Sequence, residues 1–210
     1  MISHESFLTG VTAGTPQHLQ LDAGVFLKDY TIGEDILAEN ILGATRGGGT
    51  LSVVPTIHHV AADGIPENYV GMDRIDEYVG QISTTMLEVT PESVVLSLGG
   101  AASAANVKRA GSVIEDVHIT LNHTLSASNY HDVWWLGNLS DGRLIAVKFS
   151  NAMSKSGLSL NITDKGEGTY GIALTAHYSG ELYKQGKAPV DLWFISNEAS
   201  PTRTVTTHDA

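Results

Sequence analysis

The apolar and polar positions of this chain fall into short runs of β type, punctuated by Gly and Pro. The plainest signal lies in RIDEYVGQISTTMLEVTPESVVLSLGG, from Arg74 to Gly100. Tyr78 to Val89 predicts a strand that runs directly into a short helix. Thr90 is placed to cap that helix, Pro91 occupies the first position where no N–H is needed, and Glu92 favours the positive helix end. Val94, Val95 and Leu98 predict one apolar stripe, and Gly99-Gly100 ends the element.

Earlier in the chain, Leu19 to Lys28 predicts a first strand. The acidic stretch Thr31 to Leu42 leaves a turn or a short helix open, and Gly43 to Gly49 predicts a loop. Leu51 to Ala61 predicts a strand that Pro55 assigns to a sheet edge or bulge. Ala62 to Gly71 is a polar connection containing Asp63-Gly64 and Pro66. After the Ala/Gly-rich stretch Gly99 to Ala105 the alternation becomes cleaner. Val117, Ile119 and Leu121 alternate with His118, Thr120 and Asn122, which predicts one buried and one wet face. Val133 to Leu136 is apolar on both faces and predicts a central strand. Ser140-Asp141-Gly142 predicts a turn into Arg143–Phe149. Leu158, Leu160 and Ile162 precede the turn Asp164–Gly168, and Tyr170, Ile172, Leu174, Ala176 and Tyr178 then share one face. The polar segment Ser196–Ala210 predicts a tail that frays. These elements predict one mainly β domain over residues 1–210. It has two packed antiparallel sheets, as a sandwich or partial barrel, and one short flanking helix.

Composition narrows the function classes. The chain has 210 residues, no cysteine and a formal net charge of −11. Disulfides and thiolate metal sites are therefore absent, which fits a reducing compartment. Nucleic-acid binding needs clustered cations, and they are missing. The charge is uneven: up to Ala105 there are 13 acidic residues against Lys28, Arg46 and Arg74, whereas 10 acids and nine bases follow. No apolar run approaches the ~20 residues that span a bilayer, and MISHESFLTG has no secretory-signal pattern.

Candidate chemistry is sparse. His58-His59 with Asp63, His118 with His123, and Asn129-Tyr130-His131-Asp132 are the clusters that invite a metal. Neighbouring strand residues point to opposite faces, so neither His pair shares one ion easily, and no HExxH occurs. The run Arg46-Gly47-Gly48-Gly49-Thr50 lacks the GK[ST] ending of a phosphate loop and predicts a hinge or a close subunit approach. Asp73, Asp76 and Glu77 read as a solvated face. Trp134-Trp135 with Trp193 offers a sugar platform, or one ring in the core and one against a neighbour. Sequons at Asn122, Asn138 and Asn161 read as chance in a Ser/Thr-rich chain. Neither a catalytic nucleophile motif nor a cofactor motif is present.

Several blocks taken in order carry a resemblance: LDAGVFLKDY, then GATRGGGT, then the strand-to-helix segment with EVTPE, then YHDVWWLGNLSDGRLIAVKFS and GTYGIALTAHY. From Leu19 to Tyr178 the chain resembles the major tail protein of long-tailed bacteriophages, the tail tube subunit. The resemblance implies a structural protein without catalysis or cofactor. Such subunits form hexameric rings that stack into a tube, with a continuous inner β-barrel built across subunits. Its partners would be further copies of itself, a tape-measure protein and genomic DNA in the lumen, and the tail-tip and head-proximal tail proteins. It would be assembled in the host cytoplasm and reside in the virion, with no membrane. The connection from Ala62 to Asp76, the N-terminal arm of about residues 1–18 and the C-terminal extension of about 179–210 would supply contacts between subunits or rings. The contact residues implied are Gly47, Gly48, Gly49, Asp63, Gly64, Pro66, Tyr69 and Asp73. Leu51–Ala61 and Tyr78–Val89 would line the lumen, with Glu88 near it, so that an acidic wall repels DNA. The same reading admits the tube subunit of a contractile injection or type VI secretion machine. Outside that class stand a monomeric β-sandwich binding a glycan or receptor, and a metal hydrolase using His58, His59 and Asp63.

Overall fold

The computed structural model describes residues 10–12, 14–99, 102–108 and 115–195. Residues 1–9 of the expected N-terminal arm and the tail Ser196–Ala210 lie outside the described residues. The strands are β1 (Val25–Lys28), β2 (Thr45–His59), β3 (Asp73–Met86), β4 (Ala102–Lys108), β5 (Glu115–Leu121), β6 (His131–Asn138), β7 (Leu144–Ser154), β8 (Leu160–Asn161), β9 (Thr169–Thr175) and β10 (Val190–Ile195). Two helices accompany them, α1 (Pro91–Leu98) and α2 (Gly180–Lys184). The mainly β class with a flanking helix is therefore as the alternation implies. Thr31–Leu42 contains only one 3-10 turn, Ala38–Asn40.

All ladders are antiparallel. The main path runs β1-β6-β7-β9-β3-β2, with β10 on β7 and β8 on β9, and it does not close into a barrel. The architecture turns on β7. Residues 144–149 lie between β6 and β10, whereas Met153 and Ser154 pair with β9. At the changeover Asn151 adopts a left-handed φ of 49°, and the β6–β7 register shifts between His131 and Val133. A bulge of this kind bends a strand and lets one chain segment serve two sheets. The two halves then face each other across a core that includes Phe26, Val133, Val147 and Phe149 from one half and Ile82, Met86, Tyr170, Ile172 and Leu174 from the other. A second cluster, built on Leu27, Tyr30, Trp134, Leu136 and Ala146, covers the opposite face of β6 and β7. That is why β6 is apolar on both sides.

Helix α1 begins as its sequence dictates. Thr90 Oγ1 accepts from Ser93 N–H at 3.2 Å, Pro91 follows, and Gly99 ends the helix with φ 87°. The face it buries differs from the stripe expected. Ser93, Leu96 and Ser97 are buried, whereas Val94, Val95 and Leu98 are only half-buried. The helix lies close to the sheet, where small side chains fit, and both serines are satisfied. Tyr170 Oη donates to Ser93 Oγ at 2.5 Å, and Ser97 Oγ donates to Val94 O at 2.8 Å.

Tyr170 is fully buried, and that burial raises its phenol above the ordinary 10.0; the nearby Glu88 adds to the rise and the Ser93 hydrogen bond only partly opposes it. A raised folded value means a contribution present below the unfolded value and lost as pH climbs through the folded one. Tyr170→Phe is accordingly expected to cost about 1 kcal/mol at neutral pH and to flatten the loss of stability above about pH 10. Urea unfolding from pH 7 to pH 11 reads both effects.

Two segments were placed differently by the sequence pattern. Gly99–Ala105 gave no strand signal, yet Ala102–Lys108 pairs along its length with β5. In that hairpin the expected buried face of β5 is largely open, since Val117 is 45% and Leu121 64% exposed. The residues after Tyr178, expected as an extension, contribute α2 and then β10, which occupies an edge of β7.

Candidate assembly interface

Strands β2 and β3 are far longer than the sheet that holds them. Gln81–Met86 of β3 has β2 on one side and β9 on the other, whereas Asp73–Gly80 pairs with β2 alone. The outer part is therefore a two-stranded ribbon that leaves the body. Its base is fixed at Gly80, where a Cβ would collide with Val190 Cγ2 and press on Phe149 Cδ1. Gly80 O also accepts from Ala176 N–H at 2.9 Å, and Tyr178 Oη accepts from Tyr78 N–H at 2.8 Å.

Directly opposed residues of an antiparallel pair share a face. Leu51 with Ile82 belongs to the core side. Continuing outward on that side are Val53 with Gly80, Pro55 with Tyr78, and Ile57 with Ile75. The apolar face that packs inside the body thus runs on along the ribbon, where nothing covers it among the described residues. Val53 is 39% exposed, Ile57 59% and Ile75 50%. The connection Val60–Met72 adds exposed Val60, Ile65, Tyr69 and Val70, the last at 93%. It is a structured end: Met72 O accepts from Val60 N–H at 2.9 Å, and turns are made at Gly64, Asn68 and Gly71, all with positive φ. The other long edge of β2 carries no strand among the described residues, and Pro55 lies on it beside a bulge between Thr56 and Ile57. Pro55 was expected at such a place, because an edge strand can spare its N–H.

The ribbon carries charge on both faces, with His59 and Asp73 on the side of Ile57 and Ile75 and His58 and Arg74 on the other. His59 Nδ1 lies 2.8 Å from Asp73 Oδ1, His58 Nδ1 lies 4.0 Å from Asp76 Oδ2, and Arg74 reaches Asp76 at 2.9 Å. The neighbouring histidines thus have separate carboxylate partners. Among the described residues no three His, Asp or Glu side chains stand together as a metal site. Closer to the body the outward face of the sheet is different in kind. Gln81, Ser83 and Thr85 on β3 lie against Thr175, Ala173 and Gly171 on β9, all small or uncharged. Arg46, which pairs with Glu167 at 3.2 Å, is the charge at its border.

The residues singled out from the sequence fall into two groups at opposite ends of β2. Asp63, Gly64, Pro66, Tyr69 and Asp73 lie at the ribbon tip or its last pair. Gly47, Gly48 and Gly49 lie at the other end, inside β2 and not in a loop. Gly47 and Gly48 form a bulge with φ of 76° and 73°, held by Thr84 Oγ1 donating to Gly48 O at 2.8 Å. Gly49 has an intramolecular reason to be glycine, since a Cβ there would stand 2.6 Å from Phe26 Cζ and 2.7 Å from Ser83 O. Glu88 lies beyond the end of β3, and its Oε2 accepts from Ala44 N–H at 2.7 Å, pinning the entry to β2.

The tryptophans and the His131-Asp132 pair have structural partners. Trp134 is buried and stacks on Trp193 at 5.0 Å, while Trp135 Nε1 donates to Ala23 O, so the three rings make no flat exposed platform. His131 Nδ1 lies 2.8 Å from Asp29 Oδ2, and Asp132 pairs with Lys148 at 2.6 Å. Burial pushes the Asp29 carboxyl up, but the His131 hydrogen bond and charge, the Asp132 N–H and Lys28 together hold it below the usual range. No helix among the described residues is long and apolar enough to cross a membrane. Compared with protein-family models and with curated proteins, the chain matches none of them.

Proposed function

We propose that this chain is a self-assembling structural protein, a tail tube subunit of the kind that long-tailed bacteriophages stack as hexameric rings. The observation that supports this most directly is the β2–β3 ribbon, an extension of the core-facing sheet surface past the body. A solvated two-stranded ribbon is marginal by itself, and an apolar face on it calls for cover. A neighbouring copy supplies that cover if the subunits join head to tail, an arrangement that closes into a ring when the rotation between copies divides a full turn. Joining also removes the open β2 edge, which otherwise invites uncontrolled pairing. The hydroxyl-rich face of β3 and β9 suits a conduit wall past which DNA slides, because the cation at its border, Arg46, is already paired with Glu167. In this reading the protein has no catalytic role and takes no cofactor, and five of its acidic residues stand on each ribbon.

Negative-stain electron microscopy of the concentrated protein, with its mass in solution, tests the proposal. Six-fold rings or hollow tubes are the expected result. A strict monomer at every concentration, salt and pH tried would overturn it.

A further inference from the structure

We propose that His58 and His59 make assembly through this ribbon sensitive to pH, favouring it as the solution is acidified below neutrality. The inference rests on the assembly reading above and names the control of that same surface. Between Val53 and Val79 the chain carries Asp63, Glu67, Asp73, Asp76 and Glu77 against Arg74 alone, a net charge of −4 with both histidines neutral. Histidine is the side chain whose charge changes between about pH 5 and pH 8. Both imidazoles are on the ribbon itself, on opposite faces, each beside a carboxylate. The charged groups that face them across the ladder come from β3. Asp73 lies opposite His59; Arg74 lies opposite His58, with Asp76 next to it and Glu77 one pair further in.

Protonating both halves the net charge of the ribbon, from −4 to −2. Repulsion between two ribbons follows the product of their charges, so it falls to about a quarter. Ring formation gathers several ribbons, and the effect is repeated at each contact. Salt must act in the same direction, because screening weakens the same repulsion. The opposing influence is local. A charged His58 meets Arg74 across the ladder, and Asp76, which touches both, offsets that.

The test measures the critical concentration for assembly of the full chain by light scattering, with electron microscopy to separate ordered rings or tubes from precipitate. In low salt the wild type is expected to assemble at about tenfold lower concentration at pH 6 than at pH 8, with the difference shrinking at high salt. His58→Gln with His59→Gln should remove most of that difference, whereas a general loss of solubility near the isoelectric point would persist in it. Asp73→Asn with Asp76→Asn should assemble at pH 8 as the wild type does at pH 6, which checks the idea without touching a histidine. Equal assembly of the wild type at both pH values overturns the switch and leaves the assembly reading standing. An unchanged pH response in the double His variant also overturns it. Absence of assembly under all conditions overturns both.

Discussion

Replacing Ile57 by Lys and Ile75 by Glu is expected to abolish assembly while leaving the fold intact. The two residues face each other across the ladder and are each half exposed or more, so the subunit loses little buried surface. An opposite-charge cross-strand pair keeps the ribbon together, worth roughly 0.2–1 kcal/mol. Surface changes of this kind move stability by about 0.5 kcal/mol, or some 2 °C in Tm for a domain of this size. The contact between subunits loses much more. Burying the exposed half of each isoleucine contributes about 1.5–3 kcal/mol in all, and desolvating two charges in their place costs about as much again. The association constant per contact should therefore fall by roughly two to four orders of magnitude. Circular dichroism melting alongside electron microscopy separates the two effects. A variant that melts normally and still forms rings or tubes would show that this face is not the contact.

Phe149→Ala is expected to act in the opposite order, on the fold first. The ring is fully buried at the place where β7 passes from one half of the sheet to the other, and a Cβ on Gly80 at the ribbon's base would press on it. Its β7 position pairs with Val133 on one side and Val190 on the other, so paired strands hold the backbone around the space and limit its collapse. Truncation should cost about 3–5 kcal/mol, the range for a buried aromatic that leaves a cavity. That corresponds to a fall in Tm of roughly 6–20 °C. Urea unfolding at neutral pH measures it. Assembly should fall with it, because the cavity opens under the ribbon's base. Unlike the Ile57/Ile75 variant, this one cannot lose assembly while keeping its melting temperature. A loss of less than about 1 kcal/mol would mean that the two halves do not depend on this contact.

These two substitutions separate what the amino-acid sequence determined from what the tertiary structure decided. The start and stop of α1 were legible because caps are local: Thr90, Pro91 and Gly99 act on backbone groups within four residues of themselves. The strands β6, β7 and β9 were legible because a period of two is fixed by the pleat. The segment VDLWFI had the composition of a strand as well, and only its position past the turn-rich stretch 179–189 hid it. The strand Ala102–Lys108, by contrast, has little propensity of its own and is made by pairing with Glu115–Leu121. The buried face of α1 was likewise chosen from outside, by the nearness of the sheet and the hydroxyl of Tyr170.

The candidate interface shows the division most clearly. The residue pattern along Leu51–Ala61 and Tyr78–Val89 predicted two strands. It gave no means of telling an apolar side that the chain covers from one that it leaves open, because the pattern is the same in both. The difference lies in where β9 stops. It pairs with Gln81–Met86 and goes no further; past the base at Gly80 and Tyr78, the residues out to Asp73 have β2 as their one strand partner among the described residues. Local chemistry made the strands and their caps, and the lengths of neighbouring strands decided which apolar surface was left for another molecule.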